Sequence, residues 1–387
     1  MPASLSRTVE ILERLIAFPT VSRDSNLDLI DYVRDLLAGL GARIELVPDE
    51  GGAKANLYAV LGPPGPGGVL LSGHTDVVPV EGQAWSGDPF RLTTRGGRLL
   101  GRGTCDMKGF IACALAVAEE AARRPLARPL HFAFSHDEEI GCVGVRRLID
   151  RLAGRADLPA LCIVGEPTMM ETVIAHKGKV AGRIACRGYE CHSSHAPDGL
   201  NAIHLATDMV ALLRRLQDDV ISGGSQDTAY AVPFTTLHVG TIQGGTALNI
   251  VPRDCVLDFE IRNLPSDDPA RLLDRLFDEA AVLSRRNAGR FPGSGVAVEV
   301  LNAYPALQTG PEEEVVGLAR RLTGGRALRK IAFGTEGGLF RQRLGLPTVV
   351  CGPGDIRHAH RPDEYVTADQ LARCRTMLRR LVGELAG

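Results

Sequence analysis

Two histidines and five acids stand behind runs of apolar residues, where a strand ends and a polar side chain can face a crevice. His74 and Asp76 close GGVLLSGHTD, the run Asp137-Glu138-Glu139 follows HFAFS, Glu166 follows LCIVG, and His360 lies in the loop after TVVCGPG. Asp106, in GRGTCDMKG, immediately precedes an alanine-rich stretch of helical spacing. In open α/β sheets ligands bind beyond the carboxyl ends of strands, so four strand ends would deliver these groups to one edge, and Asp106 joins them by the same logic. Imidazoles and carboxylates without thiolate form a donor set for Zn²⁺ that also accepts Co²⁺ or Mn²⁺. Five such ligands, one carboxylate bridging, give each of two ions three protein contacts and leave room for a shared water, as metal-assisted hydrolysis requires.

Each residue alone has an ordinary explanation. A histidine at a strand end is commonly a hydrogen-bonded surface group, acids ahead of a helix favour its dipole, and Glu166 in GEPT suits a turn or helix cap. Asp76 strengthens the case for His74, since a carboxylate two residues on can accept the imidazole's other N–H and fix its tautomer. His136 and His358 compete with the chosen ligands. In an extended segment residues two apart share a face, so spacing alone leaves His358 and His360 unresolved. His131, inside a strand, reads as a satisfied structural histidine, and His195 receives no role.

The elements that would position these groups alternate in type. Leu5, Val9, Leu12, Leu15 and Ile16 predict an opening amphipathic helix that ends before Pro19, and a second helix covers roughly 26 to 40. GGVLLSGH, a helix over about 109 to 124, PLHFAF, a helix over about 141 to 153 and ALCIVG follow, then LPTVVCGPG and a last helix over about 367 to 385 near the end. That alternation predicts an α/β sheet covered by helices. Residues 178 to 303 instead read strand, helix, strand, strand, helix, strand, a ferredoxin-like split βαβ unit. The expected organisation is a catalytic domain over 1–177, an inserted domain over 178–303, and the catalytic domain resumed over 304–387.

Composition narrows the classes. A 387-residue chain that is 44% hydrophobic is an ordinary globular protein of about two domains. A net charge of −2 with both signs mixed offers no basic stripe, which argues against nucleic-acid binding. The N-terminal stretch has acids within its apolar pattern, unlike a signal peptide, and no run reaches membrane-spanning length, so a soluble cytoplasmic protein is expected. Nine cysteines without a C-x-x-C pair fit buried thiols in a reducing compartment better than a disulfide framework or thiolate zinc site.

SGHTDVVP, GRGTCDMKGF, DEEIGCVG, GEPT, the GxxxHSS segment at 188 to 194, GTALNIVP and GPGDIRHAHRPDEYV together resemble the M20 family of metallopeptidases and amidohydrolases, and within it the acetylornithine deacetylases. The resemblance implies a zinc-exopeptidase-like catalytic domain, a mixed β-sheet flanked by helices, with the inserted ferredoxin-like α+β domain as lid and dimer interface. It implies that His74 and Glu166 bind one ion, Glu139 and His360 the other, and that Asp106 bridges them. The AHRPDE context selects His360 over His358. Asp76 would orient His74, and Glu138 would be the general base. His192 matches a lid histidine reaching the neighbouring subunit's active site, and Asn249 and Arg262 match lid positions that contact the substrate's carboxylate. Arg262 also reads as a cross-strand ion pair with an acid near Glu260. Glu336, in FGTEGGLF, is expected to face a cationic substrate side chain, with helix-entrance acid as its plain alternative. The implied substrate is a small N-acyl amino acid, N²-acetyl-L-ornithine above succinyl-diaminopimelate or a dipeptide. A non-catalytic metal-binding protein of the same fold is the competing class, and the full set of ligands, base and lid histidine argues against it.

Overall fold

The structure, a computed structural model, describes residues 5–387. The chain divides into two compact units. One comprises the chain up to Ala175 together with Leu307–Lys330 and Thr335–Gly387, and the other comprises His176–Ala306 with Ile331–Gly334.

The larger unit is built on a nine-stranded mixed sheet. Its centre is four parallel strands in the spatial order Leu130–Ser135, Val69–His74, Leu161–Pro167 and Thr348–Gly352. Every residue of these strands is buried, because helices cover the faces and leave no solvent side for an alternating pattern to mark. Ala55–Leu61 and Arg43–Pro48 extend one side in antiparallel fashion. The parallel pairing of Val69–His74 with Leu130–Ser135 needs a crossover, supplied by the helix Lys108–Ala121. That helix, KGFIACALAVAEEA, packs against Ser6–Ile16 and Ala368–Ala386 and is apolar nearly all round. Its Phe110 lies so close to the strand ending at Glu166 that a Cβ on Gly165 would come within 2.0 Å of the ring. The helix expected over 141 to 153 begins only at Val145. Residues 141 to 143 are instead a turn, in which Gly141 and Cys142 N–H groups donate to the Glu138 carbonyl and Val143 to that of Asp137.

The smaller unit holds a four-stranded antiparallel sheet in the order Thr236–Gly244, Asp254–Arg262, Lys179–Arg187 and Gly295–Tyr304. Helices Ala202–Gly223 and Ala270–Ala288 fall between the first and second, and third and fourth, strands in chain order, the split βαβ arrangement. Its two central strands, Asp254–Arg262 and Lys179–Arg187, alternate buried and more exposed positions, and Ile184, Leu257, Ile261, Met209 and Leu276 belong to its core. Asn201 caps the longer helix, its side-chain oxygen accepting from Ile203 and His204 N–H.

Candidate metal centre

The four parallel strands point their carboxyl ends the same way, and the predicted ligands meet there. His74 Nε2 lies 3.0 Å from Asp106 Oδ1 and 3.6 Å from Glu166 Oε1. His360 Nε2 lies 3.2 Å from the other Asp106 oxygen and 3.1 Å from Glu139 Oε2. Asp106 thus faces one imidazole with each oxygen, and each imidazole has a second carboxylate of its own. His74, Asp106 and Glu139 offer donor atoms within 4.8 Å of one another, and so do His74, Glu138 and Glu166. The second grouping places Glu138 at ligand range too, so distance alone does not separate base from ligand.

Asp76 acts differently from the expectation. The nearest acceptor for His74 Nδ1 is the Asp76 main-chain carbonyl at 2.9 Å, with the carboxylate at 3.6 Å. The carboxylate instead accepts the backbone N–H groups of Glu138 (3.1 Å) and Glu139 (3.2 Å) and the Ser22 hydroxyl (2.7 Å). One residue therefore fixes the imidazole with its backbone and the acidic turn with its side chain. Asp137 does not join the cluster. It pairs with Lys54 at 2.6 Å and has left-handed backbone geometry, turning the chain so that the next two acids face the crevice.

Burial without compensation sets the electrostatics. It pushes the Glu138 carboxyl up to about 8, helped by the Glu139, Asp106 and Glu336 charges, and Glu139 up to about 7 through burial and Asp106. Glu166 is also held well above the usual carboxylate range by burial, Asp106 and its acidic neighbours. Burial opposes charge on His74, yet Asp106, Asp76 and Glu166 outweigh it and raise the imidazole well above its ordinary value. His360, hydrogen-bonded to Asp106 and Glu139, rises to about 10. Burial likewise opposes charge on Asp106, but the two histidines hold its carboxyl below the usual range. Buried carboxylates that repel one another around two imidazoles are what divalent cations neutralise, and the donor set fits a pair of them.

The competing histidines are accounted for in the structure. His358 stacks on Tyr365 and meets its hydroxyl at 2.8 Å. His131 lies between the Tyr58 hydroxyl (2.7 Å) and the Gly67 carbonyl (3.0 Å), and burial lowers it to about 4. His136 is buried with Nδ1 3.0 Å from Asp137. His195 is exposed, 3.8 Å from Asp198.

Glu336 departs from expectation. It is buried, and its two oxygens accept from Ser72 (3.0 Å) and Ser135 (2.5 Å), two residues before His74 and Asp137 respectively. It stands at the start of helix Gly337–Leu344, the helix-entrance position of the plain alternative, and ties two site-bearing strands together. Sequence reasoning missed these serines, Ser22, and Cys142, whose thiol donates to Glu138 at 3.3 Å. Ser72, Ser135 and Cys142 lie inside the quoted motifs and Ser22 outside them, and none of the pairings was visible.

In the smaller unit, the His192 and Asn249 segments adjoin. His192 bridges to Ile250, Ser193 N–H donates to the Asn249 carbonyl at 3.0 Å, and both His192 and Asn249 are exposed. Arg262 closes the strand Asp254–Arg262, with its guanidinium forked onto Glu260 (2.7 and 3.1 Å) and donating to the Tyr304 hydroxyl at 3.1 Å. Arg262 is thus ion-paired, though with Glu260 on its own strand and not across strands as expected.

Imidazole and carboxylate donors gathered at the carboxyl edge of a parallel α/β sheet define a metal-dependent hydrolase. Residues 70–384 match the model of peptidase family M20/M25/M40. An acetylornithine deacetylase from Myxococcus xanthus is 38% identical over 381 residues, covering 97% of each chain, and one from Shigella sonnei (strain Ss046) is 37% identical over 373 residues, covering 95% of this chain and 94% of its own. An M20 family metallo-carboxypeptidase from Sulfolobus solfataricus shares the fold, with a TM-score of 0.79 at 18% identity, covering 98% of this chain and 99% of that one. The chain belongs to peptidase family M20/M25/M40 and is a hydrolase of that family. Among the described residues, no helix is long and apolar enough to cross a membrane.

Proposed function

We propose that the chain removes the acetyl group of N²-acetyl-L-ornithine, giving L-ornithine and acetate, with two divalent ions, zinc foremost, at the His74–Asp106–His360 centre. The observation that carries the substrate is similarity to acetylornithine deacetylases at 37–38% identity along nearly the whole chain. The observation that carries the chemistry is Asp106, placed between two imidazoles that each have a second carboxylate.

His74, Glu166 and Asp106 would hold one ion, and Glu139, His360 and Asp106 the other. Bound there, two ions would supply Lewis-acid polarisation of the amide carbonyl and would lower the pKa of water toward neutrality. Glu138 does the proton work, taking a proton from the attacking water and handing it to the leaving nitrogen. Burial suits it to this role by raising the carboxyl's proton affinity, which the charge of bound ions would offset. Asp76, through the N–H groups of Glu138 and Glu139, holds the base and a ligand in register.

The smaller unit supplies the remaining contacts, as lid and dimer interface. Asn249 and Arg262 lie on either side of a nine-residue strand, about 27 Å long at ~3.4 Å per residue. A substrate as small as acetylornithine touches both only if two subunits contribute, which supports a homodimer with His192 and Asn249 donated across the interface. Nine free cysteines, eight of them buried, support a reducing, cytoplasmic setting.

A kcat/KM comparison among acetylornithine, acetylmethionine, succinyl-diaminopimelate and a dipeptide tests the substrate. Acetylornithine should lead, and a preference for any other by more than about tenfold, roughly 1.4 kcal/mol of transition-state binding, would overturn it.

A further inference from the structure

We propose that the buried pair Arg102–Glu364, extended by Gln83, is a positioning brace that sets the spacing between Asp106 and His360 and thereby the affinity of the ion on the His360 side. This rests on the two-ion reading above. Arg102 and Glu364 are each 1% exposed and meet at 2.8 Å. A buried ion pair seldom stabilises a fold on balance, so its place here is explained by what it holds. Besides Arg102, the Glu364 carboxylate accepts three backbone N–H groups of the turn that carries Asp106: Gly103 at 3.1 Å, Cys105 at 2.9 Å and Asp106 itself at 3.1 Å. Each of its oxygens thus accepts two bonds, which leaves it a support for the ligand turn and not a ligand.

The other arm reaches His360. Arg102 Nη2 donates to Gln83 Oε1 at 2.5 Å, and Gln83 Nε2 donates to the His360 carbonyl at 3.1 Å. Glu364 itself follows His360 by four residues, and His360 adopts the left-handed backbone region, so this loop has an unfavourable local geometry that its surroundings must hold. The peptides of Asp106 and His360 are therefore the two ends of one charge-assisted network. His74 and Glu166 have a different support. They sit in parallel strands whose ladders fix them, His74 opposite Ser135 in the register. Loss of the Gln83 arm, which reaches only the His360 loop, should act on one ion and spare the other, whereas loss of Glu364 also loosens the turn of the shared Asp106 and should reach both.

The test is metal affinity of chelator-stripped protein, titrated with Zn²⁺ against a chromophoric indicator. Wild type should take two ions, and fewer than two would overturn the two-ion reading and the brace together. Two backgrounds isolate the sites: His74→Ala leaves the His360-side ion, and His360→Ala leaves the His74-side ion. Adding Gln83→Ala, which leaves the ion pair and the Asp106 turn intact, should weaken binding about 10-fold or more in the first background, as loss of support for a ligand does, and by less than about threefold in the second. Equal weakening in both backgrounds, or none in either, would overturn the brace. Glu364→Gln, which also loosens the turn of the shared Asp106, should weaken binding in both backgrounds, and no effect in either would overturn the support assigned to Glu364. For Gln83→Ala, weakening confined to the His74→Ala background supports the brace, and its absence there overturns it.

Discussion

Along Val69–His74, Leu130–Ser135 and Leu161–Pro167 every side chain is buried, whereas along Lys179–Arg187 and Asp254–Arg262 buried positions alternate with more open ones. The first pattern belongs to parallel strands covered on both faces, the second to an antiparallel sheet with one solvent side. Function divides the same way. The metal-side groups project from ends of rigid strands and are fixed by Asp76, Ser22 and the sheet ladders. His192 and Asn249 lie on exposed loops, with Ser194 as the imidazole's recorded partner at 2.8 Å. A pre-placed centre thus contrasts with exposed side chains for which partners on assembly or substrate binding are proposed, and the two should respond differently to mutation.

The largest expected effect is on the rigid side. Glu138→Gln removes the proton carrier while keeping the five ligands, so kcat should fall by roughly 10²–10⁴-fold with both ions retained. Loss of an ion in that variant would exchange the roles of Glu138 and Glu139. On the open side, His192→Ala should fold and load metal as wild type does yet lose most turnover. Mixing inactive His192→Ala and Glu138→Gln subunits should restore activity, because one mixed site is intact. No recovery after verified subunit exchange would place His192 in its own chain's site or in none.

Arg262→Lys should act more gently, raising KM about tenfold with metal content unchanged, since a lysine cannot reproduce the fork that grips a carboxylate. An effect confined to thermal stability would leave Arg262 as only the partner of Glu260. The smallest effect concerns pH. Glu138 and Glu139 are raised above their ordinary values, so the folded metal-free protein holds their protons more tightly than the unfolded chain. Their contribution to stability is full below the ordinary carboxylate range and is lost as pH rises through about 7 to 8. That of His360 is full below its ordinary value and lost through about 10. The Tm of chelated protein should therefore fall from pH 6 to 9, and the gain on adding Zn²⁺ should grow over that interval. A Tm that rises with pH after chelation would contradict this electrostatic account.

Much of the metal centre was legible because strand ends are legible. An apolar run followed by His-x-Asp or Asp-Glu-Glu announces a side chain leaving the core, and the parallel order brings such ends to one edge. The ferredoxin-like pattern was readable from alternation of elements alone. What stayed hidden depends on pairings between segments distant in the chain. Glu336 follows an apolar run as Glu166 does, yet Ser72 and Ser135 draw it inward, 264 and 201 residues away in sequence. The choice of His360 over His358 needed either a resemblance or sight of Tyr365 stacked on His358. For Asp76, the spacing suggested a side-chain contact with His74, and only the geometry reveals that the backbone carbonyl lies nearer.

The central claim is that His74 and His360 each hold one of two ions joined through Asp106. Metal content of purified, zinc-loaded protein measures it directly, with wild type, His74→Ala and His360→Ala dialysed side by side and assayed for turnover. The account predicts two ions per chain in wild type, about one in each variant, and no turnover in either variant. Two ions and full activity in His360→Ala would contradict it.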